Sequence, residues 1–401
     1  MGKRIAHGAI LQSIVTASVI ALILFSGCGD EPSQANSLTS SLPTIGFKVY
    51  TTTIAPTGGS TFQQIIPMDG IINLVGSNNG FTAVFPLQFY PSLFPVRDTI
   101  NVISAQLTLH GISLYGDPAA PFSMTAFKIV RSWQQTTLTW DSVQTGFYDP
   151  AAIVGHYAGS PATDTGAVTF ALDTALVRGW LSSATVGTNA RDGIILIADQ
   201  SVNMLRGFSS CENDTGASRP TLRIIAENVA GTVRDTAIYN LGIDTFCGSL
   251  SPAPSDSTLM VLQAGVAYRG KLTFDVSSIP RGAIVNKADL EVVRDPGASW
   301  IGPFTTDSVV TCHYLNSATD NTQFNINVPI AQGRRKADAS YTFLFDVRTA
   351  VQAWLSGTNH GLLFRVKAES STADRYAFHN YNAADPSLRP RIRITYSVQE
   401  R

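Results

Sequence analysis

Seven basic side chains in the second half of the chain stand at alternate positions of short apolar runs. They are Arg269 and Lys271, Arg365 and Lys367, and Arg389, Arg391 and Arg393. Alternation of this kind sends every second side chain to one face of a β-strand. If the three strands share a sheet, these cations line one face. Guanidinium groups so placed suit bidentate contact with carboxylates such as those of uronate sugars. Asp289, Glu291 and Glu369 offer the competing outcome, ordinary cross-strand ion pairs. Trp300, in the turn-rich segment DPGASWIGP, is the tryptophan expected to be exposed, and an exposed loop tryptophan is a natural sugar contact. In the first half Arg131, Trp133 and Trp140 are the alternative candidates, although tryptophans at a sheet end more often belong to the core.

Catalytic patterns do not appear. His110, His156, His313, His360 and His379 scatter through the chain with no HxH or HExxH arrangement. There is no GxSxG, no phosphate-binding glycine loop and no GxGxxG. The reading is of a protein that is not an enzyme and needs no cofactor. Calcium has only the loop acids Asp141, Asp149, Asp164, Asp295 and Asp307 to recommend it, and turn formation explains such residues equally well. No cysteine–histidine cluster has metal spacing.

The elements that position these residues come from a repeat. RPTLRI (Arg219 to Ile224) returns as RPRIRI (Arg389 to Ile394), with Phe208 and Phe378 at the same distance upstream of the two prolines. FALDTALVRGWL (Phe170 to Leu181) returns as FLFDVRTAVQAWL (Phe343 to Leu355). In each, a strand leads to an aspartate, Asp173 or Asp346, suited to cap a short amphipathic helix. Leu87, Phe89 and Ala105-Gln106-Leu107 correspond to Leu272, Phe274 and Ala288-Asp289-Leu290. Period-2 alternation predicts antiparallel strands with one apolar face, which two sheets must cover mutually. The expected fold is all-β: two tandem antiparallel β-sandwiches of jelly-roll type, each with one short helix. Their expected limits are residues 42–228 and 232–398.

This ordered set of blocks resembles the DNRLRE-type domain, a bacterial extracellular β-sandwich of which some members are carbohydrate-binding modules. The matching residues are YRGKLTFDVSSIPRGAIVNKADLEV (Tyr268 to Val292), the two helices, HGLLFRV (His360 to Val366), WQQTTLTWDS (Trp133 to Ser142) and the two RPxxRI strands. Two features depart from the family pattern: the second half lacks the double-tryptophan segment, and the first lacks the Tyr-Arg of the opening strand. The resemblance implies a sandwich fold and an extracellular binding or adhesion role, with polysaccharide or another cell-surface glycan as partner.

The chain of 401 residues carries 28 Lys and Arg against 29 Asp and Glu, a net charge of −1 that excludes nucleic-acid binding through a broadly basic surface. With 44% hydrophobic and 9% aromatic residues it is not disordered. Residues 1–27 read as an export signal: Lys3 and Arg4, then an apolar stretch from Ala9 to Phe25 interrupted by Gln12, Ser13, Thr16 and Ser18. The ending LFSGC resembles a lipobox, which implies lipid attachment at Cys28 and a bacterial envelope location, on the outer membrane or cell surface. The alternative is an uncleaved anchor, for which the stretch is short. Residues 28–41 read as a flexible tether. Of the remaining cysteines, Cys247 and Cys312 are the expected disulfide, with Cys211–Cys247 competing. The expected function is polysaccharide binding by a lipid-anchored, non-catalytic surface protein. The rivals are a structural or adhesive protein without sugar affinity and an accessory subunit of a secreted enzyme complex.

Overall fold

A computed structural model describes residues 46–89, 98–160, 165–185, 191–213, 218–302, 309–338 and 340–400. The expected signal sequence, Cys28, the tether, Asp164 and Asp307 lie outside these. Both sandwiches belong to one compact unit, Val49–Val398.

The strands run in chain order from β1 (Phe47–Ile54) and β2 (Pro56–Gln63) to β3 (Ile72–Asn78), β4 (Phe81–Gln88) and β5 (Ile100–Tyr115). Next come β6 (Phe122–Ile129), β7 (Tyr148–Gly159), β8 (Gly166–Ala171), helix α1 (Thr174–Leu181), β9 (Ile194–Ala198), β10 (Met204–Ser209) and β11 (Thr221–Asn228). Then follow β12 (Arg234–Asn240), β13 (Ile243–Asp244), β14 (Cys247–Leu250), β15 (Leu259–Gln263), β16 (Tyr268–Phe274) and β17 (Ile284–Val293). The chain closes with β18 (Val310–Tyr314), β19 (Ala331–Gln332), β20 (Arg334–Arg335), β21 (Thr342–Asp346), helix α2 (Arg348–Ser356), β22 (Leu362–Val366), β23 (Arg375–His379) and β24 (Arg391–Gln399).

The ladders β5–β11, β17–β24 and β18–β22 are antiparallel, as the alternation predicts. In the first sandwich one curled sheet supplies both layers. The long strand β5 pairs with β11 and β8 through its first part and with β10 through its last, and the register shifts at Gly207/Phe208 where the sheet turns. Between the layers Phe85, Phe89, Leu107, Leu109, Phe208 and Leu222 form a core. In the second sandwich the sheet β1-β24-β17-β21-β20 faces a sheet built on β19-β18-β22-β16-β15-β23. Phe274, Leu290, Phe343, Phe364, Phe378 and Ile392 fill the space between. Each such side chain contributes about 1.5–3 kcal/mol by leaving water.

The helices close equivalent ends. Asp173 caps α1, accepting the Ala175 N–H at 2.8 Å. In α2 the cap position falls on Val347, and Asp346, one residue earlier, accepts the Arg348 N–H at 3.1 Å. Trp180 then meets Phe89 and Trp354 meets Phe274, each pair with ring centroids 6.2 Å apart.

Strand pairing departs from the limits expected at 42 and 232. β1 joins β24 and β2 joins β16, so the first two strands complete the second sandwich. β12 joins β11 while β13 and β14 join β4, so residues just past the expected boundary complete the first. The registers agree: Tyr268, Leu272 and Thr273 lie opposite Gln63, Gly59 and Gly58, and Ala83, Leu87 and Gln88 lie opposite Gly248, Asp244 and Ile243. One offset of 185 residues separates Tyr268 from Ala83 and Gly248 from Gln63. The halves therefore exchange equivalent strands reciprocally. The boundary reading failed because an edge strand takes whichever partner edge is open, and that edge need not belong to the same half.

Exchange is reinforced by a core common to both halves. Met68, Leu74, Phe81, Tyr115 and Phe246 pack with Val266, Ala267 and Ala373. Within it the Tyr115 hydroxyl donates to Asp374 Oδ1 at 3.0 Å and accepts the Ala373 N–H at 3.1 Å. Burial, with the Asp374 charge beside it, holds the Tyr115 phenol well above its ordinary pKa.

Candidate functional site

The seven cations do not form one face. β16 and β22 pair within one sheet of the second sandwich, whereas β24 belongs to the opposite sheet. On β24, Arg391 is tied to Glu291 by a 2.7 Å contact from Nε, and exposed Arg393 stands opposite Asp289. Arg389 donates from Nε to the Ala383 carbonyl at 2.8 Å, and Arg219 treats Asn213 in the same way at 3.1 Å. The arginine recurring before each final strand is thus a fold element.

On the other sheet Arg269 and Arg365 are buried, not presented. Arg269 donates to Glu369 from Nε at 2.9 Å and from Nη2 at 2.7 Å, and Arg365 Nε adds a third bond at 3.1 Å. Arg269 and Glu369 are each 1% exposed. Gln64 accepts from Arg269 Nη1, and the Phe324 ring covers the guanidinium at 5.2 Å. Burial draws the Arg365 pKa below its ordinary value. Lys271 reaches Ala318 O at 3.0 Å and Asn321 Oδ1 at 3.1 Å, and Lys367 is exposed beyond the end of β22. Alternation predicted which side chains leave the core correctly. It could not show that residues 315–330 cover them.

Trp300 is also corrected. It packs edge-on against Tyr115 at 5.6 Å and Phe81 at 6.4 Å, half-buried at the common core. Trp133 donates from Nε1 to Asp192 O at 2.9 Å and lies against Phe147. Both indoles serve packing. Arg131 is exposed.

Trp140 differs. It leads into a short 3₁₀ turn at Asp141–Val143, and with Asp141, Thr139, Gln63, Ser249 and Tyr268 it lines a groove of about 200 Å³. This lies below the roughly 300–1,000 Å³ of enclosed small-molecule sites, and suits a single ring of a longer chain. Trp140 and Tyr268 are each half-buried, so each gives the groove part of a ring while the rest is packed. Among the described residues no lysine or arginine lines it. The groove gathers residues from four separate stretches of chain. Of these the sequence nominated Trp140 as a sugar contact, Asp141 as a loop acid and Cys247 as a disulfide partner, but not Tyr268.

The expected Cys247–Cys312 disulfide is absent. Cys211, Cys247 and Cys312 are free, because Cys247 lies against the first sandwich and Cys312 inside the second. Of the loop acids, Asp149 accepts the Ala151 N–H and Asp295 those of Gly297 and Ala298, as turn formers do.

No family model matches the chain, and no curated protein matches it. Among solved structures, "The 2.6A structure of Infectious Bursal Virus Derived T=1 Particles" aligns over 88% of this chain and 75% of its own. The identity is 9% and the TM-score 0.12, which carries no argument about fold or function.

Proposed function

We propose that the protein is a lipid-anchored, non-catalytic surface protein of DNRLRE type that binds a polysaccharide in the groove between Trp140 and Tyr268. The groove is the observation that supports this. It sets two aromatic rings beside amide, hydroxyl and carboxylate groups, the combination that stacks on a sugar ring and satisfies its hydroxyls. The absence of a lining cation, with Asp141 at the wall, favours a neutral polymer over the acidic one expected from the arginines. Attachment through Cys28 rests on the sequence.

Gel electrophoresis through polysaccharide tests the reading. A neutral hexose polymer should retard the parent, and Trp140→Ala or Tyr268→Ala should restore most of the lost mobility, whereas alginate should leave the parent unretarded. If no polymer retards the parent, or if both variants bind as it does, the groove is not a sugar site. The structural or adhesive reading then stands in its place, supported by the exchanged strands and common core that join the halves.

A further inference from the structure

One cluster in the first sandwich has no part in the groove and no counterpart in the second. Asp244, on β13, is 1% exposed. Its carboxylate accepts the Cys211 N–H at 2.8 Å and the Ser210 hydroxyl at 3.0 Å. Glu212 reaches the same spot from the exposed side, touching Ser210 and accepting from Gln135 Nε2 at 2.7 Å. The ligand atoms of Cys211, Glu212 and Asp244 lie within 4.8 Å of one another. Two carboxylates this close need compensation. The groups acting most strongly on Asp244 are Glu212, Cys211 and Asn73, none of them a cation.

Asn73 is the independent observation. It sits on β3 opposite Phe208, is 0% exposed, and leans close enough to Asp244 to bias its carboxylate. Its carbonyl oxygen Oδ1 nevertheless meets no donor. A buried amide group without a partner costs about 1–3 kcal/mol, and the Asn73 amide, neither of whose polar atoms has one, lies beside the Asp244 carboxylate.

The second sandwich shows that the frame does not require these groups. The matched registers put Gly59 at the place of Asp244 and Met260 at that of Asn73. Tyr381 and Asn382 follow β23 where Cys211 and Glu212 follow β10. There Met260 simply joins the core, and a Cβ on Gly59 would fall 2.1 Å from Asn380 Oδ1, which occupies the space.

We propose that Asp244, Glu212 and Asn73 form a site for a hard divalent cation of the calcium type, with Ser210 Oγ and the Gly242 carbonyl at hand as further oxygens. The donor set is oxygen, which calcium prefers at six to eight positions with water completing the shell. Cys211 is a neighbour and not a ligand: its thiol donates toward Asp244 and the Gly242 carbonyl, and burial with the adjacent acids pushes its pKa well up. Exposed Glu212 provides the entry from solvent.

The test uses the full chain, stripped with chelator and titrated with calcium chloride alone. Thermal unfolding should rise by a few degrees, with half-saturation at about 10⁻⁴–10⁻³ M as for extracellular modules. Asp244→Asn should remove the shift. Glu212→Gln, at an exposed position, should weaken half-saturation at least tenfold even if Asp244→Asn does not fold, and Asp149→Asn should respond as the parent does. No calcium shift in the parent, or an undiminished shift in Glu212→Gln, overturns the site. So does a larger response to zinc that Cys211→Ser abolishes.

Discussion

The same sheet face is covered in opposite ways in the two sandwiches. In the first, Val84, Ile195, Cys247 and Phe147 form a small apolar core, with Trp133, Trp140 and Ile197 along its margin, under residues 130–148. In the second, the matched positions carry charge. Arg269 stands where Val84 does and Arg365 where Ile197 does, while His313 replaces Phe127. One backbone thus accepts either an oily cover or a hydrogen-bonded ion cluster. The apolar solution gains by burial alone, whereas the ionic one must satisfy every charge it removes from water. The second sandwich should therefore be the one that fails abruptly when a single partner is lost.

The largest effect should come from the exchanged strands. Deleting residues 1–63 removes β1 and β2 from the second sandwich and leaves residues 72–250 whole. Limited proteolysis should then degrade residues 259–398 while a fragment of about 72–250 persists. Were the halves separate at 42 and 232, the first sandwich would be digested instead, and that pattern would refute the exchange.

Next in size is Glu369→Ala, which strands two buried guanidinium groups. Breaking a buried pair in this way costs about 3–5 kcal/mol. The triple change Arg269→Val, Arg365→Ile and Glu369→Leu, which imports the first sandwich's solution, should recover most of that loss. Urea midpoints at constant slope would measure both. A triple variant no better than Glu369→Ala would show that the two covers are not interchangeable.

What the sequence displayed depended on where each residue's partner lay. Phe208 and Phe378, the two RPxxRI strands and the tryptophan-bearing helices were legible because each encodes a local element and its buried face. Arg219 and Arg389 were visible as a repeat, but only the carbonyls six residues upstream explain them. Alternation identified Arg269 and Arg365 as facing away from the core without revealing Phe324 above them. Asn73 and Asp244 were invisible as a pair, since nothing local relates a mid-strand asparagine to an aspartate far along the chain. The same holds for Trp140 and Tyr268, which meet only after the strands exchange.

The smallest expected effect separates the covers by acidity. His313 is 1% exposed; its Nδ1–H donates to Asn325 O at 3.0 Å, and Nε2 lies 2.9 Å from the Thr311 hydroxyl. Burial above all lowers its pKa from 6.5 to about 4, with Arg365 and Arg269 adding to the fall and Asn325 O and Glu369 opposing it. Between those values the unfolded chain binds the proton and the folded one does not. Stability linked to His313 is therefore complete above pH 6.5 and is lost as pH falls toward 4, by about 3 kcal/mol at most. Phe127, the matched residue of the first sandwich, has nothing to protonate. His313→Phe should accordingly flatten the acid limb of the stability profile relative to the parent, measured by urea unfolding at pH 7, 5.5 and 4. Parallel profiles for parent and variant would mean that the second cover tolerates a charged imidazole, and the contrast between the two covers would then reduce to Glu369.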